Sequence, residues 1–576
     1  MKRCPACKRV EPDDTLTFCR ADGTPLIIDS GSLNAESSTV RFDSTSVSSE
    51  SATSVLPPTN TDAEISRPTA ATTVLPSQPS QGNTRELSRS KGRKVIGAVA
   101  ALVVVAIIAC VYIFWFRGNT TGSIESIAVM PFVNESGNAD VEYLSDGMTE
   151  TLISSLSQLP NLNVKPRSSV FRYKGKETSS QAIAKELNVQ AVLNGRVTQR
   201  GTDVSLFVEL IDVALDKVVW SQQYNRKQTD LVSLQTDIAR DVSSRLKTKL
   251  SGEDEAKVTK TYTTNADAYQ LYLKGKYYQS KYNEENYRRA IDHYQQAIDL
   301  DPNYALAYLG LAEVYNNASD WYLAPNLAMP KAKAAILKAI ELDNSLAEAH
   351  FYLGIFTFWY DWDWATAERE MRRAIELDPN YTMYGLYLAA MGKHEEAIRA
   401  QETTNRRYPL DLQFRMDMSG IYLSAGRVDD SIAQSRGTIE LDPNYWGGYQ
   451  ELGLALERKK QFPEAIAALE KARALDNNPS VSGYLGFAYA EAGKKAEAQR
   501  VLDELKELSK KQYVPAYSIA IIYAGLNDKD QAFEWLNKAY SDRSFYIALL
   551  NFESTLDDLR RDSRFKDLLK RANLPE

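Results

Sequence analysis

Cysteine and histidine are scarce in this chain, and their positions restrict the chemistry that it can carry. There are four cysteines and three histidines among 576 residues. The last cysteine is Cys110, so the long part of the chain after it contains no disulfide and depends on its own core for stability. His293, His350 and His394 are far apart in sequence, and none belongs to a pattern typical of a catalytic triad.

Motifs of common enzyme families are also missing. The sequence contains no GxxxxGKS/T, GxGxxG, HExxH or GxSxG pattern. Its 68 lysine and arginine residues nearly balance its 75 aspartate and glutamate residues, for a formal net charge of −7. A chain so balanced lacks the overall basic excess of a nucleic-acid-binding protein. We therefore expect a protein without catalytic activity.

One long apolar run is present, and it carries no charge. It is VIGAVAALVVVAIIACVYIFWF at Val95–Phe116, about 22 residues and long enough to span a hydrocarbon core of about 30 Å. The alternative is a buried helix of a soluble core, although such helices rarely lack a polar face over this length. Basic residues are frequent before the run, whereas after it Arg117 is followed by no Lys or Arg until Lys165. This asymmetry predicts a single-pass protein of the bacterial inner membrane, with a cytoplasmic N-terminus and periplasmic or otherwise extracytoplasmic C-terminal domains.

The first 28 residues carry the other three cysteines at the spacing of a metal knuckle. Cys4 and Cys7 are separated by two residues, and Cys19 opens a second knuckle that includes Asp22. The segment resembles the small zinc ribbons of bacterial membrane proteins, whose pattern is CPxC followed by FCxxCG, although Asp22 stands where those domains have a cysteine. The resemblance implies a structural zinc ion bound by Cys4, Cys7, Cys19 and Asp22, since a carboxylate oxygen is also a zinc ligand. Water or a second copy of the chain as the fourth ligand, and three free thiols without metal, are the alternatives.

Residues 29–94, between the predicted zinc ribbon and the apolar run, are rich in Ser, Thr, Pro, Ala and Asn and poor in aromatic residues. Such a composition buries too little apolar area to offset the entropy of an ordered chain. We predict a disordered cytoplasmic linker.

Residues 124–252 alternate between strand and helix patterns in the order βαβαβββα, which predicts a compact α+β domain. The predicted elements are the strand Ile127–Phe132, the helix Val141–Leu159, the strand Asn163–Pro166, the helix Ser179–Leu187, the strands Ala191–Thr198, Asp203–Asp212 and Lys217–Tyr224, and the helix Asp230–Leu250.

The motifs IAVMPFVNESGN, EYLSDGMTETLISSLSQL and IAKELNVQAVLNGRV in this domain resemble the periplasmic module related to the TolB amino-terminal domain and to FlgO. In that family the module often follows a transmembrane helix and precedes tetratricopeptide repeats. Glu142, Asp146 and Glu150 form a carboxylate row on the first predicted helix. We interpret this row as a solvated face with favourable charge near a helix N-terminus.

Internal repeats dominate residues 266–543. The pentapeptide LDPNY occurs at Leu300–Tyr304, Leu377–Tyr381 and Leu441–Tyr445, and small residues recur in pairs seven apart, as at Ala465 and Ala472. These features resemble tetratricopeptide repeats, whose period is about 34 residues. We count about eight repeats, with an insertion near residues 317–330 and a missing turn between residues 381 and 397. Residues 544–576 are predicted to form a C-terminal cap whose helix has a polar outer face.

Tetratricopeptide arrays bind peptides in a groove lined by the first helix of each repeat, and the resemblance implies such a groove here. The groove positions are expected at Tyr272, Lys276, Phe351, Ile355, Met416, Leu454, Phe487 and Ile521. Packing of several of these side chains between helices is the alternative. The motif Asp361–Trp364, with its two tryptophans, is predicted to belong to the core.

Taken in order, the chain is predicted to be multidomain: a zinc ribbon (1–28), a linker (29–94), a transmembrane helix (95–116), an α+β domain (124–252), an all-α solenoid (266–543) and a cap (544–576). This organisation favours a non-enzymatic, membrane-anchored scaffold or signal-transducing adaptor that binds protein partners outside the cytoplasm. The alternative is a transmembrane regulator whose zinc ribbon contacts nucleic acid or a separate regulatory enzyme.

Overall fold

The computed structural model describes residues 124–159, 162–246, 251–281, 283–378 and 384–575, together with the backbone of three short strands near the N-terminus. These strands are β1 (Lys2–Arg3), β2 (Val10–Glu11) and β3 (Ile27–Ile28), and β1 pairs antiparallel with both of the others. The predicted zinc ligands Cys4, Cys7, Cys19 and Asp22, the linker and the apolar run at 95–116 lie outside the described residues. Among the residues that are described, no helix has the length and apolar character needed to cross a membrane.

An α+β domain begins the continuous part of the structure, as the order of strand and helix patterns predicts. Its sheet has the order β6-β4-β7-β8-β9, with β5 paired to β7; β4, β5 and β6 run parallel to their partners, and β7, β8 and β9 form an antiparallel meander. The strands are β4 (Ser126–Val129), β5 (Val133–Asn134), β6 (Asn163–Val164), β7 (Ala191–Arg200), β8 (Asp203–Asp212) and β9 (Lys217–Lys227). The helices are α1 (Glu142–Ser157), α2 (Arg167–Val170), α3 (Ser180–Leu187), α4 (Leu231–Leu246) and α5 (Gly252–Val258).

The apolar stripe of α1 holds this domain together. Leu144, Met148, Leu152 and Leu156 recur at helical spacing, and each is fully buried. On β8, buried residues alternate with half-buried ones, as the period of a strand with one covered face requires. The domain therefore owes its core to the two periodicities visible in the sequence.

In the described residues that follow, paired antiparallel helices form eight hairpins, which we number 1 to 8. Hairpin 1 is Ala266–Gln279 with Glu284–Leu300, hairpin 2 is Ala305–Ala318 with Pro325–Leu342, hairpin 3 is Ala347–Phe356 with Trp364–Leu377, hairpin 4 is Gly385–Ala390 with His394–Arg407, hairpin 5 is Leu412–Ser424 with Val428–Leu441, hairpin 6 is Trp446–Arg458 with Phe462–Leu475, hairpin 7 is Pro479–Glu491 with Lys495–Leu508, and hairpin 8 is Ala516–Gly525 with Lys529–Ser541. Stacking of these units buries a continuous core that no single hairpin has.

Close packing within the hairpins depends on small residues. Each pair seven residues apart on a second helix is buried to 2% exposure or less, from Ala290 and Ala297 in hairpin 1 to Ala532 and Ala539 in hairpin 8. The ring of Tyr294 lies 2.5 Å from the point that a Cβ would occupy on Gly310. Because real Cβ atoms do not approach other atoms so closely, only glycine fits at this crossing.

The two irregular regions that the repeat spacing predicts are visible. In hairpin 2 the long second helix, with Pro330 inside it, follows a loop in which Ser319 pairs with Leu323. In hairpin 4 the first helix, Gly385–Ala390, has only six residues. Between the helices of hairpin 3, Trp362 adopts a left-handed conformation (φ 57°) and is 2% exposed, which places it in the core as expected.

The C-terminal part is more than the predicted cap, because it folds back against the early hairpins. Only Ser563–Arg571 is an α-helix; before it, Phe545–Leu549 and Ser554–Leu559 are 3₁₀ helices with buried side chains. We call residues 544–559 the C-terminal segment. The carboxylate of Asp320, in the loop of hairpin 2, accepts hydrogen bonds from the Ser544 hydroxyl (2.6 Å) and the Phe545 amide (2.8 Å). The array therefore curves until hairpin 2 meets the chain that leaves hairpin 8.

Candidate functional sites on the first helices of the solenoid

The eight residues predicted to line a groove do not come together in one surface. Phe351, Leu454, Phe487 and Ile521 are at most 9% exposed and pack between helices, as the alternative interpretation describes. Ile355 is half-buried against the same core. Tyr272 and Lys276 line a cavity next to the α+β domain, and Met416 lines a second cavity beside the C-terminal segment. For partner binding, the eight assignments stay predictions.

The first of these cavities, which we call the interdomain cavity, has a volume of 380 Å³ and lies where α1 faces the first helices of hairpins 1 to 3. Polar contacts attach the α+β domain to the solenoid as far along the chain as hairpin 5. The Ser168 hydroxyl donates to the Asp411 carboxylate (2.6 Å), and an Arg172 guanidinium nitrogen donates to the Leu441 carbonyl (3.4 Å). Gly147 of α1 packs on Leu273. A side-chain carbon of Leu273 lies 2.9 Å from the point that a Cβ on Gly147 would occupy.

Lys276 is the central charge of the interdomain cavity. Its ammonium nitrogen lies 2.9 Å from an oxygen of Glu150 and 3.7 Å from an oxygen of Glu313. Arg167 contacts the other oxygen of Glu150 at 3.1 Å. Burial by itself lowers the pKa of Lys276, but the charges of Glu150 and Glu313 outweigh it and raise that pKa well above its usual value. The lysine therefore stays charged and links α1 to hairpins 1 and 2.

Glu348 adds a third carboxylate to this site. Burial, together with the charge of Glu313, raises the pKa of Glu348 to about 8. The Gln279 amide donates to Glu313 (2.8 Å) and in turn accepts from the Tyr294 hydroxyl (2.6 Å). The arrangement suits hydrogen bonding and charge recognition, since it holds donors and acceptors at fixed positions in a partly closed space.

The carboxylate row on α1 is not the solvated face that its sequence suggests. Lys174 lies 2.5 Å from carboxylate oxygens of both Glu142 and Asp146, and Asp146 is only 3% exposed. Glu150 points to Lys276 and Arg167. The interpretation was wrong because the partners Lys174 and Lys276 come from segments that only the tertiary structure brings to α1.

The second cavity, which we call the C-terminal cavity, has a volume of 260 Å³. It lies between the C-terminal segment and residues of hairpins 2 to 7. Aromatic side chains form much of its wall; they are Trp321, Trp359, Tyr360, Trp446, Tyr484, Phe545, Tyr546 and Phe552. Three carboxylates, those of Asp417, Glu451 and Glu553, also line it.

Sequence analysis named Glu150 but missed the acidic residues that the solenoid and the C-terminal segment contribute to the two cavities. A signal was available at Glu313, which interrupts the apolar stretch LGLAEVY, and a weaker one at Glu451, which directly precedes the apolar stretch LGLAL. A charged residue within a helix that is apolar on every other face is costly to bury unless it has a partner or a role. The sequence does not reveal that partner, since the contacts depend on how successive hairpins stack.

Comparisons with known proteins agree with this architecture. Residues 123–241 match the family described as "HilA/YgeH-like transcriptional regulator, second domain", and residues 279–317 match the TPR repeat family. The chain is 29% identical over 236 residues to "Putative adenylate cyclase 3" of Rhizobium meliloti (strain 1021), which covers 41% of this chain and 40% of that protein. It is 24% identical over 244 residues to "TPR repeat-containing protein YpiA" of Bacillus subtilis (strain 168), which covers 42% of this chain and 57% of that protein. The chain thus spans about half the length of these two relatives.

Solved structures with similarity to this chain include two repeat proteins. The structure titled "Crystal structure of YrrB: a TPR protein with an unusual peptide-binding site" is 19% identical, with a TM-score of 0.23, over 32% of this chain and 92% of that one. The crystal structure of MamA protein is 22% identical, with a TM-score of 0.19, over 37% of this chain and 92% of that one. From the repeat-family match and the eight hairpins, the C-terminal half of the chain is a tetratricopeptide-like solenoid, preceded by an α+β domain with a sheet of six strands.

Proposed function

We propose that this protein is a non-enzymatic scaffold that binds a protein partner through its solenoid. The observation that carries the proposal is the array of eight hairpins, because tetratricopeptide arrays generally bind proteins and curve to present an extended surface. The fixed donors and acceptors of the interdomain cavity are the candidate contact region, and Lys276 and Tyr272 belong to it.

The partner is proposed to bind outside the cytoplasm. The apolar run at 95–116 is the proposed membrane anchor, and the zinc ribbon with Cys4, Cys7, Cys19 and Asp22 is proposed to contact a cytoplasmic component. In this arrangement the protein relays an external binding event across the membrane. The resemblance to the TolB amino-terminal module supports the same placement.

Site-specific crosslinking in cells tests the binding surface. A photoreactive amino acid is placed at Ser154 or Gln158, which are exposed and line the interdomain cavity, and at Leu327, which is 64% exposed on the second helix of hairpin 2. We expect one discrete adduct from Ser154 and Gln158 and none from Leu327. The same adduct from all three positions, or none from the cavity positions, would contradict a partner site there.

A regulatory role is the second candidate, and the match of residues 123–241 to a transcriptional-regulator family favours it. The region matched is the α+β domain, whereas the DNA contact of this second candidate is proposed for the predicted zinc ribbon with its few basic residues. Chromatin precipitation of the tagged full chain distinguishes the two candidates. Enrichment of specific DNA would favour the regulator, and its absence with retained crosslinking would favour the scaffold.

One relative carries a cyclase name, but we propose no cyclase activity for this chain. The match covers 40% of that relative, and a tetratricopeptide fold is typically non-enzymatic. The purified full chain, incubated with ATP and Mg²⁺, is expected to form no more cyclic AMP than a buffer control. Production of cyclic AMP would overturn the non-enzymatic assignment.

A further inference from the structure

The walls of the C-terminal cavity combine aromatic rings from distant parts of the chain. Trp321 meets Trp446 at a centroid distance of 5.8 Å and an angle of 63°, and Trp359 meets Phe545 at 5.4 Å and 72°. Both contacts are edge to face. Aromatic rings have a negative face that attracts cations, and tryptophan is the strongest of them.

Carboxyl groups in the same cavity have no ion-pair partner among the described residues, although the charge of Arg560 favours the ionised form of Glu553. Glu451 is 6% exposed and Glu553 is 7% exposed. One oxygen of Glu451 accepts a hydrogen bond from the Gln450 amide (3.2 Å), whereas its other oxygen has no donor among the described residues. Glu553 accepts from the Tyr484 hydroxyl (3.1 Å), and Asp417 accepts from the Gln413 amide (2.9 Å). In the part of the chain that the structure describes, none of these three carboxylates forms an ion pair.

The basic residue that lines the cavity does not neutralise them. Arg543 donates to the carbonyl of Tyr360 (3.1 Å), and its guanidinium carbon lies 4.1 Å from the ring centre of Trp362. Burial raises the pKa of Glu451 to about 8, and the neighbouring charges of Glu553 and Asp417 act in the same direction. A cation brought into the cavity favours the ionised form of Glu451, so its binding is expected to release the proton that this carboxyl group holds below about pH 8.

The chemistry of the walls selects the kind of cation. Hard inorganic ions such as Ca²⁺ require six or more oxygen ligands gathered around one point, and no three acidic, histidine or cysteine side chains of the described residues are grouped so that they could hold a metal ion. An ammonium group with apolar substituents instead contacts ring faces and carboxylate together. We propose that the C-terminal cavity binds a small organic cation, with Glu451 as its counter-ion and the rings of Trp321, Trp359 and Trp446 around its substituents. The volume of 260 Å³ restricts the ligand to a compact molecule, below the usual range of about 300–1,000 Å³ for drug-sized ligands.

This inference does not depend on the proposed scaffold function, since it concerns a different cavity and a different ligand. The test uses the purified full chain in a nonionic detergent and measures binding by calorimetry and by tryptophan fluorescence. The probes are tetramethylammonium, choline and agmatine, with 3,3-dimethyl-1-butanol as the neutral analogue of choline. At least one cation is expected to bind, and choline is expected to bind about tenfold or more tightly than its neutral analogue.

Two variants separate charge recognition from simple apolar binding. E451Q keeps the shape of the side chain but cannot ionise when the cation binds, so we expect it to weaken binding of the cation about tenfold without changing that of the neutral analogue. E464Q is the matched control, since Glu464 is exposed on the second helix of hairpin 6, and it is expected to bind as the unchanged protein does. Thermal melting of each variant checks that the fold is kept. E553Q removes a second carboxyl group of the same cavity and serves as a further test of charge recognition.

Failure of all three cations to bind the unchanged protein overturns the proposal, as does equal affinity for choline and its neutral analogue. Equal weakening by E451Q and E464Q also overturns it, because the effect would then not come from the cavity. A short peptide containing trimethyllysine distinguishes the source of the cation: binding comparable to choline assigns the site to a side chain of a partner, and exclusion of the peptide assigns it to a free molecule.

Discussion

Lys276 shows how strongly a single residue can depend on its tertiary surroundings. The sequence places it on the first helix of a repeat and predicts a groove position. In the structure its side chain is 16% exposed and lies between Glu150 of the α+β domain and Glu313 of hairpin 2. One cation thus joins two domains, and its removal would leave several carboxylates close together.

We therefore expect K276M to destabilise the protein by about 3–5 kcal/mol, the usual cost of removing one partner from a buried ion pair. Urea unfolding, followed by tryptophan fluorescence, measures the change. K338M is the control: Lys338 pairs with Glu341, which is 68% exposed, and a pair of this kind contributes about 0–1 kcal/mol. Equal effects of the two substitutions would mean that the ion pairs of Lys276 do not support the domain contact.

The predicted zinc ligands can be tested in an isolated peptide. A peptide of residues 1–28 is expected to bind one zinc ion, and C19S is expected to abolish tight binding, because the remaining thiolates cannot complete a tetrahedral site. D22A is expected to weaken binding while Cys4, Cys7 and Cys19 remain coordinated. Competition with a chromophoric chelator measures the affinity. Unchanged affinity in D22A would assign the fourth position to water or to a second chain.

At the scale of the element, the small residues of the second helices set the spacing of the hairpins. Ala465 is fully buried, and its carbonyl oxygen lies 3.2 Å from the place of a Cβ on Gly453. A larger side chain at Ala465 must push the two helices of hairpin 6 apart. Because the hairpins stack on one another, the disturbance spreads to hairpins 5 and 7.

A465L is therefore expected to destabilise the solenoid by about 1–3 kcal/mol through overpacking. A467L is the matched control, since Ala467 lies on the same helix with its side chain exposed, and we expect it to change the stability by less than about 0.5 kcal/mol. Chemical denaturation of both variants gives the comparison. Similar losses in both would show that leucine at Ala465 is accommodated without separating the helices.

The apolar run at 95–116 is an element defined by sequence alone, and its orientation is testable. A reporter enzyme that is active only outside the cytoplasm is expected to be active when fused after Glu576 and inactive when fused before Lys91. Basic residues next to a membrane span tend to stay in the cytoplasm, so those before the apolar run are expected to hold the N-terminus there. The opposite pattern would reverse the proposed orientation, and activity of neither fusion would argue against a membrane span.

For the whole molecule, the buried carboxylates predict how stability depends on pH. Burial raises the pKa of Glu451 from 4.5 to about 8 and that of Glu553 from 4.5 to about 7. Both groups hold their protons more tightly in the folded protein than in the unfolded chain. Their contribution to the free energy of unfolding is complete below the unfolded pKa of 4.5 and is lost as the pH rises through about 7 to 8.

The melting temperature is therefore expected to fall as the pH is raised from about 5 to about 8. The fall should be smaller in E451Q, which cannot titrate, and unchanged in E464Q, whose side chain is exposed. Differential scanning calorimetry over this pH range makes the comparison. A melting temperature that rises with pH in this range would mean that other groups dominate the linkage.

For the described residues, the sequence by itself determined the main strands and helices of the α+β domain and of the solenoid, and their order. Strand alternation and helical spacing predicted the α+β domain, and the recurrence of small residues predicted the repeats, including the irregular regions of hairpins 2 and 4. These features are local, because the period of the apolar residues fixes which face of an element is buried. Of the two tryptophans predicted to belong to the core, Trp362 is buried, whereas Trp364 is half-buried at the start of the second helix of hairpin 3.

Only the tertiary structure decided which side chains meet. The partners of the α1 carboxylates, the return of the C-terminal segment to Asp320 and the two cavities arise from how the hairpins stack and curve. Small rotations between neighbouring hairpins add up along the array, so the residue that faces Asp320 is Ser544, 224 positions away. The stacking of hairpins also explains why four predicted groove positions lie between helices; these are Phe351, Leu454, Phe487 and Ile521. The sequence shows where each first helix lies, but the neighbouring hairpin decides which of its side chains are covered.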